Sequence, residues 1–204
     1  MQSKGKNITL SRALPWLLII LGSLGLICAF ILTVDKINLL QNPSYKPICN
    51  LNPILSCTSV MNSKQASTFG FENTLIGLAG FAVVITTGIA MLAGAKFKRW
   101  YWQGLQVGVT AALLFVHWLI FDSLYVIHAL CLFCMATWVI VITTFLYVTL
   151  YNLEAGNISL KGKGTKAVMF MRRHHVDILV LWLLIILGLI LKEFWYYYGP
   201  RLGF

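Results

Sequence analysis

The 204-residue chain is 59% hydrophobic and 11% charged, with a mean hydropathy of +0.81. A soluble domain carries roughly a quarter of its residues charged, so this composition excludes one and implies an integral membrane protein. The net charge of +10 is the usual footprint of phosphate binding, but the charges collect between apolar runs, which favours membrane topology and excludes a nucleic-acid partner.

A membrane helix requires about 20 apolar residues. Five runs of that order lie at approximately 13–34, 73–95, 102–124, 129–151 and 176–198. The first follows Lys4, Lys6 and Arg12, as a signal peptide would. It is too long for a signal h-region, however, and leads into Thr33-Val34-Asp35-Lys36 rather than a small-residue cleavage site, so a retained span is expected. A long loop, 35–72, holds Cys49 and Cys57. The third and fourth runs are nearly continuous. A single helix over 102–151 would be about 75 Å long against roughly 30 Å of hydrocarbon, so the chain must reverse near Asp122-Ser123 or His128, the polar breaks there.

With five spans the termini lie on opposite sides, and the Lys/Arg distribution selects the orientation. An inner N-terminus places Lys4, Lys6, Arg12, the Lys96–Arg99 cluster and the Lys161–Arg173 cluster inside. Lys36, Lys46, Lys64, Lys192 and Arg201 are left outside. The N-terminus is therefore expected in the cytoplasm, and Cys49, Cys57, Cys131 and Cys134 on the opposite, oxidising face.

Cys131 and Cys134 are three residues apart, a spacing that on a helix sets Cβ atoms about 5–6 Å apart on one face and suits reversible disulfide formation. A helix starting near His128 would put Cys131 in its first turn, where the macrodipole favours a thiolate. Leu132, Phe133, Met135 and Ala136 are apolar and set the second sulfur against membrane. Cys49 and Cys57 read on spacing alone either as a structural disulfide pinning the loop or as an exchanging dithiol. A second pair on the same face shifts the balance toward a relay through mixed disulfides.

Three stretches carry a resemblance: Cys49 to Cys57 with the following Ser63, residues 69–77 around Asn73, and residues 125–138 around Cys131 and Cys134. Together they resemble the bacterial homologues of vitamin K epoxide reductase, over most of residues 13–150. The resemblance implies one all-α domain spanning 1–204, a four-helix transmembrane bundle plus a fifth transmembrane helix. It also implies a quinone-dependent thiol oxidase of the bacterial inner membrane. Cys49 would exchange with partner thiols, Cys57 would pass electrons to Cys131, and Cys134 would deliver them to a ubiquinone or menaquinone. Asn73 would hydrogen-bond a quinone carbonyl, a task suited to an amide N–H that keeps its proton; on sequence alone it reads equally as a helix N-cap. Ser63 matches a family position of small hydroxyl residues, and a solvated loop serine reads nearly as well. The same cysteines would also support quinone or vitamin K epoxide reduction as the physiological purpose.

Trp138 stands where animal relatives have a tyrosine, and its indole can stack on a quinone ring. His128 stands where a glycine is expected; protonated, it would lower the Cys131 pKa, and otherwise it is an interfacial histidine. Many relatives carry a thioredoxin-like domain after the fifth span. Here only residues 199–204 follow, so the expected partner is a separate DsbA-like thioredoxin-fold protein. No metal is expected, since no carboxylate accompanies the cysteine pairs.

Cys28 reads as a packing residue, and residues 195–198 as an aromatic belt. His117, inside the third run, reads as a proton path or as a buried histidine bonded to a neighbouring helix. A short amphipathic helix over 60–68 would cover the bundle.

Overall fold

A computed structural model of the chain describes residues 7–42, 44–158 and 164–199. Lys4, Lys6, Lys161, Lys163 and Arg201, which entered the charge asymmetry, lie outside the described residues. The long helices are α1 (Asn7–Gln41), α3 (Asn73–Leu92), α4 (Arg99–Asp122), α5 (Leu132–Glu154) and α7 (His175–Glu193). The short ones are α2 (Cys57–Met61), α6 (Gly164–Arg173) and α8 (Trp195–Tyr198), and no strand is present among the described residues. Each long helix contains a stretch long and apolar enough to cross a membrane. The protein is an all-α multi-pass membrane protein.

α1 packs on α3 and α5, and α4 packs on α5. Lipid offers no hydrophobic drive between helices, so close backbone approach must supply the attraction. Small residues allow it at the α1–α3 seam. A Cβ on Gly88 would lie 2.7 Å from the Pro15 carbonyl oxygen, and one on Gly22 2.7 Å from Ile85 Cγ1. Gly88→Leu is therefore expected to force α1 and α3 apart, at a cost of about 1–3 kcal/mol or more. Thermal unfolding in detergent would register this as a lower Tm, with Gly80→Leu, where a Cβ meets nothing within 4 Å, as the silent control.

α7 lies outside this group of four and turns many large apolar side chains outward. Trp182 Nε1–H donates to His117 Nε2 at 3.0 Å, and His117 Nδ1 lies 2.9 Å from the Leu113 carbonyl oxygen. Both ring nitrogens are thus occupied in the neutral tautomer, which is the geometry of a buried histidine fastened to a neighbouring helix. Where α4 begins and α5 ends, Asn152, fully buried, donates to the Trp102 carbonyl at 3.2 Å and to Gln106 Oε1 at 3.0 Å, closing the α4–α5 seam. Arg172 of α6 pairs with Glu154 at 2.6 Å.

α1 runs seven residues beyond 34. Hydropathy marks where apolar sequence ends, not where the helix ends, and Asp35 and Lys36 both find tertiary partners on the extension. Lys36 Nζ donates to the Met61 carbonyl at 2.6 Å and lies 3.5 Å from Glu72 Oε1. Residues 60–68 form the end of α2 and a 3₁₀ turn, Lys64–Ser67, instead of one helix. Between α4 and α5 the chain passes through a π-helical turn, Ser123–Ile127, and reverses at His128, whose φ of 52° is left-handed. A glycine would take that conformation without strain.

Candidate active site

Asn52 Oδ1 accepts the backbone N–H groups of Ile54 and Leu55 at 3.0 and 2.7 Å, a local turn that presents the next residues as a short extended segment. That segment pairs with the α4–α5 corner in a parallel bridge between Leu55 and Leu130. Leu130 N–H donates to the Ile54 carbonyl at 2.8 Å, and Ser56 N–H donates to the Leu130 carbonyl at 2.9 Å. Cys57 follows one partner by two residues and Cys131 follows the other by one, so the bridge sets the distance between two sulfurs remote in sequence.

Cys49 and Cys57 form a disulfide with Cα atoms 5.7 Å apart. Cys131 and Cys134 are free thiols. Cys57 Sγ lies 3.3 Å from Cys131 Sγ, within the separation of about 3–3.5 Å between atoms poised to react. Cys49, Cys57 and Cys131 are buried together with Leu32, Leu39 and Met61.

Cys131 does not lie inside helix α5. Its extended backbone makes it the N-cap, and its sulfur accepts the Cys134 N–H at 3.3 Å. The bridge pairs residue 130 with the loop and Cys131 continues extended, so the helix begins at Leu132. The Cys131 pKa is lowered from its ordinary value. A hydrogen bond from the Cys134 side chain is the main cause, with the N–H groups of Cys134 and Phe133 adding to it, against burial and the nearby Asp35 charge. Cys131 is thereby suited to react as a thiolate.

An apolar cavity of about 840 Å³ opens between α3 and α4. Asn73, Ser63, Cys134 and Trp138 line it toward the cysteines, and Trp100 and Tyr101 toward the start of α4. Cys131 is not on its wall. The structure thus brings Cys134, Trp138, Asn73 and Ser63 to one space and leaves Cys131 facing Cys57. Its size and lining suit a flat aromatic head with an apolar tail.

Asn73 is the first residue of α3, and Glu72 is the cap. Its Nδ2 donates to the Gln65 carbonyl at 2.6 Å and its Oδ1 accepts the Thr68 N–H at 3.3 Å, so the amide also fastens the 3₁₀ turn over the cavity. Ser63 Oγ–H donates to the Val60 carbonyl at 2.7 Å. His128 is more than half exposed, with Nδ1 3.8 Å from Glu193 Oε1, and contributes none of the interactions that shift Cys131. Two residues near the site escaped sequence reasoning as site residues: Asp35, directly after the apolar run, and Tyr45, in the loop. Only their distance from each other in the fold reveals them.

A helical membrane protein with a disulfide in contact with a second dithiol, and an apolar cavity behind that dithiol, defines the class of membrane disulfide oxidoreductases. The chain belongs to the vitamin K epoxide reductase family, whose model matches residues 16–149. No curated protein matches it. Family membership makes it an oxidoreductase that couples disulfide chemistry to quinones.

Proposed function

We propose that the protein is a thiol oxidase that generates disulfides in a separate DsbA-like thioredoxin-fold protein and reduces a membrane quinone, ubiquinone or menaquinone. The observation that carries this reading is the 3.3 Å contact between Cys57 of an intact disulfide and Cys131 of a dithiol whose second sulfur lines the cavity. A partner thiolate attacks Cys49 Sγ and displaces Cys57; the partner's second thiolate then resolves the mixed disulfide, leaving the partner oxidised and the loop pair reduced. Cys57 next attacks Cys131 of the oxidised inner pair and releases Cys134. Cys49 resolves that mixed disulfide, restoring the loop disulfide and leaving Cys131 and Cys134 as thiols. When bound, the quinone accepts two electrons and two protons, and the inner pair returns to a disulfide. The Lys/Arg asymmetry supports an N-terminus inside and the four cysteines on the extracytoplasmic face, and the resemblance to bacterial members of the family supports a bacterial cytoplasmic membrane.

Asn73 stabilises negative charge developing on a quinone oxygen, and Trp138 supplies a flat wall for the ring. Ser63 and Asn73 close the outer end of the space. The test mixes purified protein with a reduced DsbA-like protein and a quinone and follows quinone absorbance. Asn73→Ala is expected to slow quinone loss about tenfold, the worth of one hydrogen bond to developing charge, with Cys57–Cys131 exchange unchanged. No quinone loss with the parent protein would overturn the reading.

A further inference from the structure

Cys49 is only 1% exposed, yet a partner thiolate must approach its sulfur along the disulfide axis. Something above it has to move. Cys57 is anchored by the Leu55–Leu130 bridge and by α2, which it begins, and Leu32 and Leu39 of α1 pack in the same cluster as the disulfide. What remains is the segment 44–48, which reaches Cys49 directly and packs Tyr45 against the sulfur cluster. Its backbone hydrogen bonds are local: Tyr45 N–H to the Asn42 carbonyl at 2.9 Å, and Asn50 N–H to the Pro47 carbonyl at 3.1 Å. Its hold on α1 passes through the Tyr45 hydroxyl, which donates to Asp35 Oδ1 at 2.8 Å and is also reached by Asn38.

Asp35 is an unusual anchor. It is 6% exposed, and its second oxygen, Oδ2, is buried without a hydrogen-bond partner. The neighbouring Lys36 does not satisfy it, being engaged with Met61 and Glu72. A buried carboxylate with one oxygen unsatisfied carries a desolvation penalty that water would relieve. Breaking the Tyr45 bond and lifting the segment hydrates both oxygens, so the closed state, held by the bonds of the Tyr45 hydroxyl and by the packing of its ring, is opposed by the orphaned atom beside it.

We propose that Tyr45 and Asp35 form a latch that closes segment 44–48 over the Cys49–Cys57 disulfide and gates the access of thiols to Cys49. Closed, it keeps small cellular thiols from draining the disulfide while Cys57 remains in contact with Cys131. Open, it uncovers Cys49 between Ile48 and Leu51, two strongly exposed apolar residues available to a protein surface. The inference rests on Cys49 being the residue that partner thiols attack.

The test measures the rate at which dithiothreitol reduces the Cys49–Cys57 disulfide in the full-length protein in detergent, read by maleimide mass shift. Dithiothreitol leaves as its cyclic disulfide, and neither quinone nor partner is present. Tyr45→Phe, which keeps the ring and deletes the donor, is expected to raise this rate about tenfold. Asp35→Ala should match it, and Asp35→Asn, which keeps an acceptor oxygen, should stay within about twofold of the parent. Alkylation of Cys134 should be unchanged in all three. A parental rate in Tyr45→Phe overturns the latch, as does Asp35→Asn matching Asp35→Ala, or Cys134 alkylation rising in parallel, which would mark general loosening. Should Asp35→Ala fail to fold, Tyr45→Phe decides alone. Failure of the thiol oxidase reading appears separately, as absent quinone reduction in a protein whose dithiothreitol rates still follow this pattern.

Discussion

Cys134→Ala is expected to lower quinone reduction by more than about 10³-fold while leaving the Cys49–Cys57 disulfide able to form. The argument rests on the inequality of the two inner sulfurs. Cys134 lines the cavity, and Cys131 is buried on the other side against Cys57. Deleting the cavity-side sulfur removes the only thiol that reaches the acceptor space from α5, and a group held at reacting distance is worth several orders of magnitude over one that is not. The variant carries a second signature. Cys131 can still attack Cys57 across 3.3 Å, releasing Cys49, but no resolving thiol remains on its own helix. The mixed disulfide then reverts only through Cys49, so alkylating the released Cys49 should trap a Cys57–Cys131 disulfide, detectable as a cross-linked peptide by mass spectrometry. Undiminished quinone loss in this variant would place the reductant elsewhere and overturn the electron path.

How much of this was legible in the sequence depends on the range of the interaction. The five apolar runs state their own requirement for lipid, and the helices follow from it because a backbone in hydrocarbon must bond within its own segment. The Cys131–Cys134 pair is visible from local spacing. His128 is legible by contrast, since a non-glycine stands where the corner takes a left-handed φ. The parallel bridge is not legible: it pairs single residues, Leu55 and Leu130, with no strand pattern on either side. That contact in turn moves Cys131 out of the helix and into its N-cap, which helix periodicity could not anticipate. Asp35 looks like the polar end of a span, and only Tyr45, ten residues on, gives it a function in the closed loop. The cavity leaves no periodic trace either. It arises because α3 packs against α1 and α4 against α5, leaving a slot between α3 and α4 where Gly80, Gly104 and Gly108 present no side chain.

Leu130→Pro should slow electron transfer between the two cysteine pairs about 10²-fold without disabling the inner pair. Proline removes the N–H that donates to the Ile54 carbonyl at 2.8 Å, one of the two hydrogen bonds that dock the loop on the corner. It also restricts Ala129 to extended backbone, which a turn leaving the left-handed His128 can accommodate. With one bond left, from Ser56 N–H to the Leu130 carbonyl, Cys57 is no longer held at 3.3 Å from Cys131. A displacement of about 1 Å from reacting geometry costs on the order of 10² in rate. Neither hydrogen bond of the bridge involves the cavity residues Asn73 and Trp138, so the acceptor side should survive. Stopped-flow mixing of the oxidised inner pair with a small dithiol that reduces it directly separates the two effects. Quinone reduction should then run near the parental rate, whereas the thioredoxin-fold protein as reductant gives the slow one. Equal slowing with both reductants would show that the bridge supports the whole corner and not the distance between the two sulfurs.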